Sequence, residues 1–187
     1  MNIEISEVAN LPSRFGSFKV KAFKEGDKEH LVIYAPKLDE TPVVRVHSEC
    51  LTGDAIGSLK CDCRDQLEYA LSLASKEAGM VIYLRQEGRN IGLLNKINAY
   101  ALQDKGLNTI EANHQLGFAA DERTYEVVTF ILNHFGIEKI KLLTNNPNKI
   151  NSISGIEIVE RIPIIMDSNE HNEGYLGVKR DQMGHLL

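Results

Sequence analysis

Apolar and polar positions first alternate along this chain and then fall into a helical period. From Ser17 to Phe23, Phe18, Val20 and Ala22 alternate with Lys19 and Lys21, the two-residue period of a half-buried strand. His30 to Tyr34 and Pro42 to Val46 read as two more short strands, set off by turn signals at Glu25-Gly26-Asp27 and Pro36 to Glu40. From Asp62 the period lengthens. Leu67, Ala70, Leu71 and Ala74 lie at helical spacing, in a helix that ends near Gly79. Met80 to Leu84 is a compact run suited to a buried strand, and a glycine-punctuated loop, Arg85 to Gly92, follows it. Leu93 to Lys105 predicts a helix stopped by Gly106; Tyr125, Val128, Ile131, Leu132 and Phe135 predict another, stopped by Gly136. Lys139 to Leu143 and Ile156 to Val159 are further strands, with a turn at Thr144 to Pro147 and room for a short helix behind it. The tail from about residue 167 is polar, with its first part expected to be flexible. Early strands followed by alternating β and α segments predict one α+β (mixed α/β) domain over residues 1–187. Its N-terminal part would be a mixed, barrel-like sheet flanked by helices.

Composition narrows the function. A chain of 187 residues suits one domain and buries about 70 % of its unfolded surface, so it has no need of disulfides. The net charge of −5 argues against a general nucleic-acid binder, while leaving room for a local basic pocket. Met1 to Ser6 shows no basic stretch before an apolar core, and no apolar run approaches the roughly 18 residues of a membrane span. The expectation is therefore a cytoplasmic protein, without membrane or nucleic-acid partners, whose thiols stay reduced.

The chemistry concentrates in one window. Cys50, Cys61 and Cys63 are the only cysteines. Three thiolates make an incomplete tetrahedral shell, which suits a catalytic zinc that keeps its fourth position for water. Two other readings stay open: a structural zinc closed by His47 or another residue, and small buried hydrophobes with no metal. Three thiolates leave Zn²⁺ with a formal site charge of −1, a weaker Lewis acid whose water needs a nearby base. Glu49, Asp54, Asp62 and Asp121 are the carboxylates in reach by sequence.

Anion-handling signals lie elsewhere. Arg85-Gln86-Glu87-Gly88-Arg89 offers two guanidiniums after a strand, and Lys149 stands at the start of a possible helix. Ala119-Ala120-Asp121-Glu122-Arg123 reads as a helix start with Asp121 as N-cap. Arg123 would then oppose the helix dipole unless an anion sat there. His114 and Gln115 read equally as structural or functional.

Together these segments resemble GTP cyclohydrolase II. The resemblance is carried by Arg45 to Asp54 (RVHSECLTGD), Cys61-Asp62-Cys63, Arg85 to Lys96 (RQEGRNIGLLNK), Ala99 to Asp104 (AYALQD), Glu111 to Arg123 (EANHQLGFAADER), Leu142 to Pro147 (LLTNNP) and the ending Met183 to Leu187 (MGHLL). It implies zinc-dependent hydrolysis of GTP to 2,5-diamino-6-ribosylamino-4(3H)-pyrimidinone 5′-phosphate, formate and pyrophosphate, the first step of riboflavin biosynthesis. By the same resemblance, Cys50, Cys61 and Cys63 hold the zinc. Arg123 attacks or stabilises the α-phosphate, Asp121 accepts a proton, and Tyr100 lies near the base. Arg45, Val46, His47, Ser48, Glu49, Gln66, Glu87, Gly88, Arg89, Thr109, Thr144 and Lys149 line the GTP site. Mg²⁺ accompanies the triphosphate, and the family is homodimeric. Arg64-Asp65 departs from the small or apolar pair expected after the last cysteine. An upstream butanone-phosphate synthase domain, found in many relatives, is not expected. Two alternatives are a GTP-binding regulatory relative with structural zinc and a ring-opening enzyme that retains the formyl group.

Overall fold

The alternating N-terminal segment folds back on itself as an antiparallel ribbon. In the computed structural model, which describes residues 2–186, β1 (Ile3–Ile5) and β2 (Ala9–Ser13) both pair with one long strand, β3 (Gly16–Glu25). Met1 and Leu187, the last residue of the MGHLL ending, lie outside the described residues. β3 pairs with β4 (Lys28–Tyr34), and β4 with β6 (Met80–Leu84), all antiparallel. β6, β5 (Val43–Ser48), β7 (Lys139–Leu143) and β8 (Glu157–Ile162) then run parallel. The order is β1-β3-β4-β6-β5-β7-β8, with β2 on the edge of β3.

The sheet is mixed, as the hydrophobic pattern predicts, but it is open and not barrel-like. Its parallel half is linked by crossovers that put helices on both faces, the arrangement that keeps such sheets open. On one face, α2 (Cys63–Lys76) presses Ala70 and Ala74 against Phe18, Val43, Val81 and Leu143. On the other, α5 (Glu126–His134) buries Val127, Val128, Ile131 and Leu132 with Val44, Val46, Ile82 and Leu142. Each Val, Leu, Ile or Phe among them contributes about 1.5–3 kcal/mol by leaving water. The remaining helices are α1 (Leu51–Asp54), α3 (Gly92–Gln103), α4 (Thr109–Gln115), α6 (Pro147–Ser152) and α7 (Glu173–Met183), with a 3₁₀ turn at Glu87–Asn90.

This topology decides where a site can form. The chain leaves β5 for β6 over the α2 face and returns from β6 to β7 over the α5 face. The two crossovers diverge at the carboxyl ends of β5, β6 and β7 and leave a crevice there, the usual ligand site of open α/β sheets.

One local expectation is corrected. The segment Ala119–Thr124 is irregular, and α5 starts at Glu126 after Tyr125, so Asp121 is no N-cap and Arg123 lies outside any helix. The carboxylate of Asp121 is spent on its neighbour, accepting from the Arg123 backbone amide and from its guanidinium. The polar tail, given no element by its pattern, carries α7, a helix with no buried residue of its own.

Candidate active site

β5 runs directly into the cysteine window. Strand alternation puts Val43, Arg45 and His47 on the α2 side, and the strand ends at Ser48. Cys50 then opens α1, and its backbone amide donates to Asp54 Oδ2 at 3.0 Å. Asp54 also accepts from Tyr83 Oη (2.7 Å) and lies 3.0 Å from His47 Nε2, so this carboxylate ties α1 to β5 and β6. The chain returns with Cys61 and Cys63 at the start of α2. All three sulfurs lie within 4.8 Å of one another, with 3.7 Å between those of Cys50 and Cys61. Gly53 makes this convergence possible: a Cβ there would meet Cys61 Sγ at 2.7 Å and Cys50 Sγ at 3.1 Å.

The electrostatics of the cluster call for a cation. Hydrogen bonds from Cys61 and Cys63, and then the charge of Lys96, hold the Cys50 thiol far below its ordinary value. The bond to Cys50 and its charge push Cys61 up to about 11 and Cys63 well above the normal range. A second and third thiolate therefore form only against added positive charge, which a metal ion provides. Soft, convergent sulfur donors suit zinc. Lys96 supplies part of the compensation, with Nζ 3.1 Å from Cys50 Sγ and 2.7 Å from Glu87 Oε1. Burial works against its charge, but Glu87 and Cys50 outweigh that and hold its pKa up.

Cations converge on the same cavity, of about 450 Å³. Arg45, 6 % exposed, donates to Leu143 O (3.1 Å) and Gln66 Oε1 (2.6 Å); burial brings its pKa down to about 10. Lys149 is 5 % exposed on the six-residue α6 and donates to Val46 O at 2.7 Å. Burial, then Arg45, Arg123 and Lys179, drive its pKa well below the lysine range. Arg123 faces burial too, but Asp121 keeps it charged. The polar atoms Arg45 Nε, His47 Nδ1, Ser48 Oγ and Gln86 Oε1 are buried on lining residues without a protein partner, a shortage that a polar ligand would relieve.

Of the site residues that the resemblance implies, all but Val46 and Asp121 line this cavity; of the further candidates read from the chain, Asp54, Asp62, Arg85, His114 and Gln115 do not. Val46 packs in the core and offers its carbonyl to Lys149, and Asp121 stands behind Arg123. Each carboxylate considered as a base is engaged: Glu49 with Arg85, Asp54 with Tyr83 and His47, Asp62 with Lys179, Asp121 with Arg123. Arg85 is half exposed on that surface pair and does not line the cavity, whereas Arg89 does. Arg64 pairs with Glu68, one turn along α2.

Sequence reasoning missed Lys96, Lys179, Asn145 and His185 as lining groups. Lys96 had a readable signal, since it precedes Tyr100 by four residues and so shares its helix face. Lys179 had none.

The sequence comparisons with known proteins agree with one another. The sequence model of the GTP cyclohydrolase II family matches residues 4–163. A protein of Campylobacter fetus subsp. fetus named GTP cyclohydrolase-2 is 68 % identical over 190 residues, covering 100 % of this chain and 97 % of its own length. One of Campylobacter hominis, with the same name, is 66 % identical with the same coverage. One of Helicobacter pylori (strain Shi470) is 56 % identical and covers 99 % of this chain and 98 % of itself. With a family match over most of its length and relatives this similar from end to end, the chain belongs to the GTP cyclohydrolase II family.

Proposed function

We propose that this chain hydrolyses GTP at two places. It releases formate from C8 of the guanine and pyrophosphate from the triphosphate, leaving 2,5-diamino-6-ribosylamino-4(3H)-pyrimidinone 5′-phosphate for riboflavin biosynthesis. The observation that carries this reading is one cavity lined both by three convergent thiols and by buried cations. Ring opening and phosphate chemistry need those two kinds of wall around a single substrate.

Cys50, Cys61 and Cys63 would hold zinc, which supplies the Lewis acid that activates water for attack at C8. Lys96 offsets the negative charge of the thiolates and keeps Glu87 turned toward them. Tyr100, its hydroxyl 3.3 Å from Thr52 Oγ1, has its pKa raised by burial and stays a proton donor toward the base. Arg45, Arg89 and Lys149 bind the phosphates. Arg123 stabilises charge on the α-phosphoryl group: clamped by Asp121 and held protonated, it is a poor nucleophile and a good counter-charge. Mg²⁺ would accompany the triphosphate, the usual habit of that ion. We carry the homodimer as part of the same reading. Ile56, Leu59 and Leu94 are exposed at 73, 59 and 76 %, on a loop and a helix joined through Lys60–Asp104 and Thr52–Tyr100. No described helix is long and apolar enough to cross a membrane, and reduced thiols suit a cytoplasmic location.

The test is purified protein with GTP and Mg²⁺, with and without a zinc chelator, scored for formate and pyrophosphate. Both products in equal yield, lost on chelation, are expected. Ring opening without formate would favour an enzyme that retains the formyl group. Tight GTP binding without turnover in zinc-loaded protein would favour the regulatory reading.

A further inference from the structure

The family match ends at residue 163, and α7 lies beyond it. Yet Tyr175, Val178, Lys179 and Met183 of α7 line the cavity, together with His185. The segment is fastened at two places. Lys179 Nζ lies 3.0 Å from Asp62 Oδ1, the residue between Cys61 and Cys63 at the start of α2, with the ammonium 4.2 Å from the Tyr175 ring centroid. After Gly184, left-handed at φ +65, the His185 amide donates to Lys179 O and the Leu186 amide to Asn145 O, next to Thr144 at the end of β7. α7 thus runs from the cysteine segment to the turn that precedes α6, the helix of Lys149.

Charge shows what this wall faces. Arg45, Arg89, Arg123, Lys149 and Lys179 line the cavity, and the carboxylates set against them are Asp62 and Asp121. Lys60 and Lys96 on the same lining are paired with Asp104 and Glu87, whereas burial and then Arg45, Arg123 and Lys179 press Lys149 toward its neutral form, a crowding that an anionic ligand relieves. An ammonium has three donors, and Lys179 gives Asp62 one. His185 is held near pKa 3 by burial and then by Lys179, Arg123, Lys149 and Arg89, so its ring sits among the same cations.

We propose that α7 and the residues after it are part of the nucleotide site, with Lys179 and His185 binding the polyphosphate of the substrate alongside Arg45, Arg123 and Lys149. This rests on the reading of the ligand as a nucleoside triphosphate. The segment then does more than cover the cavity: it makes phosphate affinity depend on the C-terminal helix.

The experiment uses the full-length, zinc-loaded protein and titration calorimetry with two probes, inorganic tripolyphosphate and a non-hydrolysable GTP analogue. Lys179→Gln is expected to weaken both about 10- to 100-fold, the effect of one charge-assisted hydrogen bond. Lys179→Arg should restore most of the loss, and His185→Gln should cost about 3- to 10-fold. Zinc content is measured for each variant. If Lys179→Gln sheds its zinc, the decision passes to His185→Gln. Wild-type affinity for tripolyphosphate in Lys179→Gln and His185→Gln would overturn the proposal and leave the GTP reading intact. A wild-type protein that binds tripolyphosphate through Lys179 but ignores the GTP analogue would sink the GTP reading and still support the phosphate role of α7.

Discussion

At the scale of single residues, Gly53 and Lys149 give the sharpest expectations. Gly53 sits where any Cβ would press on two sulfurs. Gly53→Ala should therefore separate the thiols and cut bound zinc well below one equivalent, measured by metal analysis, while secondary structure by circular dichroism is unchanged. Full zinc occupancy in that variant would show that the cysteine window adapts more than the close contacts allow. Lys149 carries the opposite trade. A buried amine crowded by Arg45, Arg123 and Lys179 costs stability that an anionic ligand would repay. Lys149→Met should raise the melting temperature, by the equivalent of about 1 kcal/mol, and weaken GTP binding at least about 100-fold. A variant that binds GTP normally would remove Lys149 from the site. The cysteines were legible at this scale because ligand number and residue type are written in the chain. The pairing of Asp121 with Arg123 was not: the same letters suit an N-cap equally well, and only the irregular path of 119–124 decides between them.

At the scale of elements, the turn Glu87–Asn90 holds the site together. Gly88, Arg89 and Asn90 all adopt left-handed backbone, at φ +61, +60 and +79. For the two residues with a Cβ this is costly, and it persists because the turn grips the neighbouring loop. Arg89 O accepts from the Glu122 amide at 3.2 Å, Arg89 Nη1 donates to Ala120 O at 3.0 Å, and Asn90 Nδ2 donates to Glu122 O at 3.1 Å. The strained turn thus positions the Asp121–Arg123 pair. A Cβ on Gly88 would lie 3.1 Å from Ile91 Cγ1 and Lys96 Cβ in addition to its positive φ. Gly88→Ala should cost about 1–2 kcal/mol in urea unfolding. It should also raise the KM for GTP, because Arg123 loses its support; unchanged stability and KM together would contradict this account. Element type followed from periodicity for α2, α3, α5 and the central strands. β2 was missed because Pro12 and an exposed, unalternating stretch suit only an edge strand. α4 was missed although Asn108 and Glu111 form a capping box that three-residue spacing could have suggested.

At the scale of the whole molecule, buried histidines should make the fold sensitive to mild acid. An unfolded imidazole takes a proton near pH 6.5, whereas His185 in the folded protein does so only near 3. Between those values the unfolded state binds more protons, so stability is present above about pH 6.5 and is lost as pH falls. His47, shifted down by burial though Asp54 opposes this, acts in the same direction. The unfolding free energy should therefore decline from pH 7 to pH 5, and His185→Gln should flatten that slope by at most one proton, less where solvent screens the ring. Parallel slopes for the two proteins would show that His185 titrates normally. The exposed apolar side chains lead to a separate expectation: Leu94→Glu should turn a dimer into a monomer by light scattering, and a wild-type protein already monomeric would refute the homodimer. By itself the sequence determined the helices, the buried strands and the thiol triad, because backbone period and ligand chemistry are local properties of the chain. Only the tertiary structure decided that the sheet stays open, that Lys149 reaches Val46 across 103 residues, and that Lys179 reaches Asp62 across 117. Contacts over such separations depend on strand order and on which face each crossover takes, and no local pattern of polar and apolar residues encodes either.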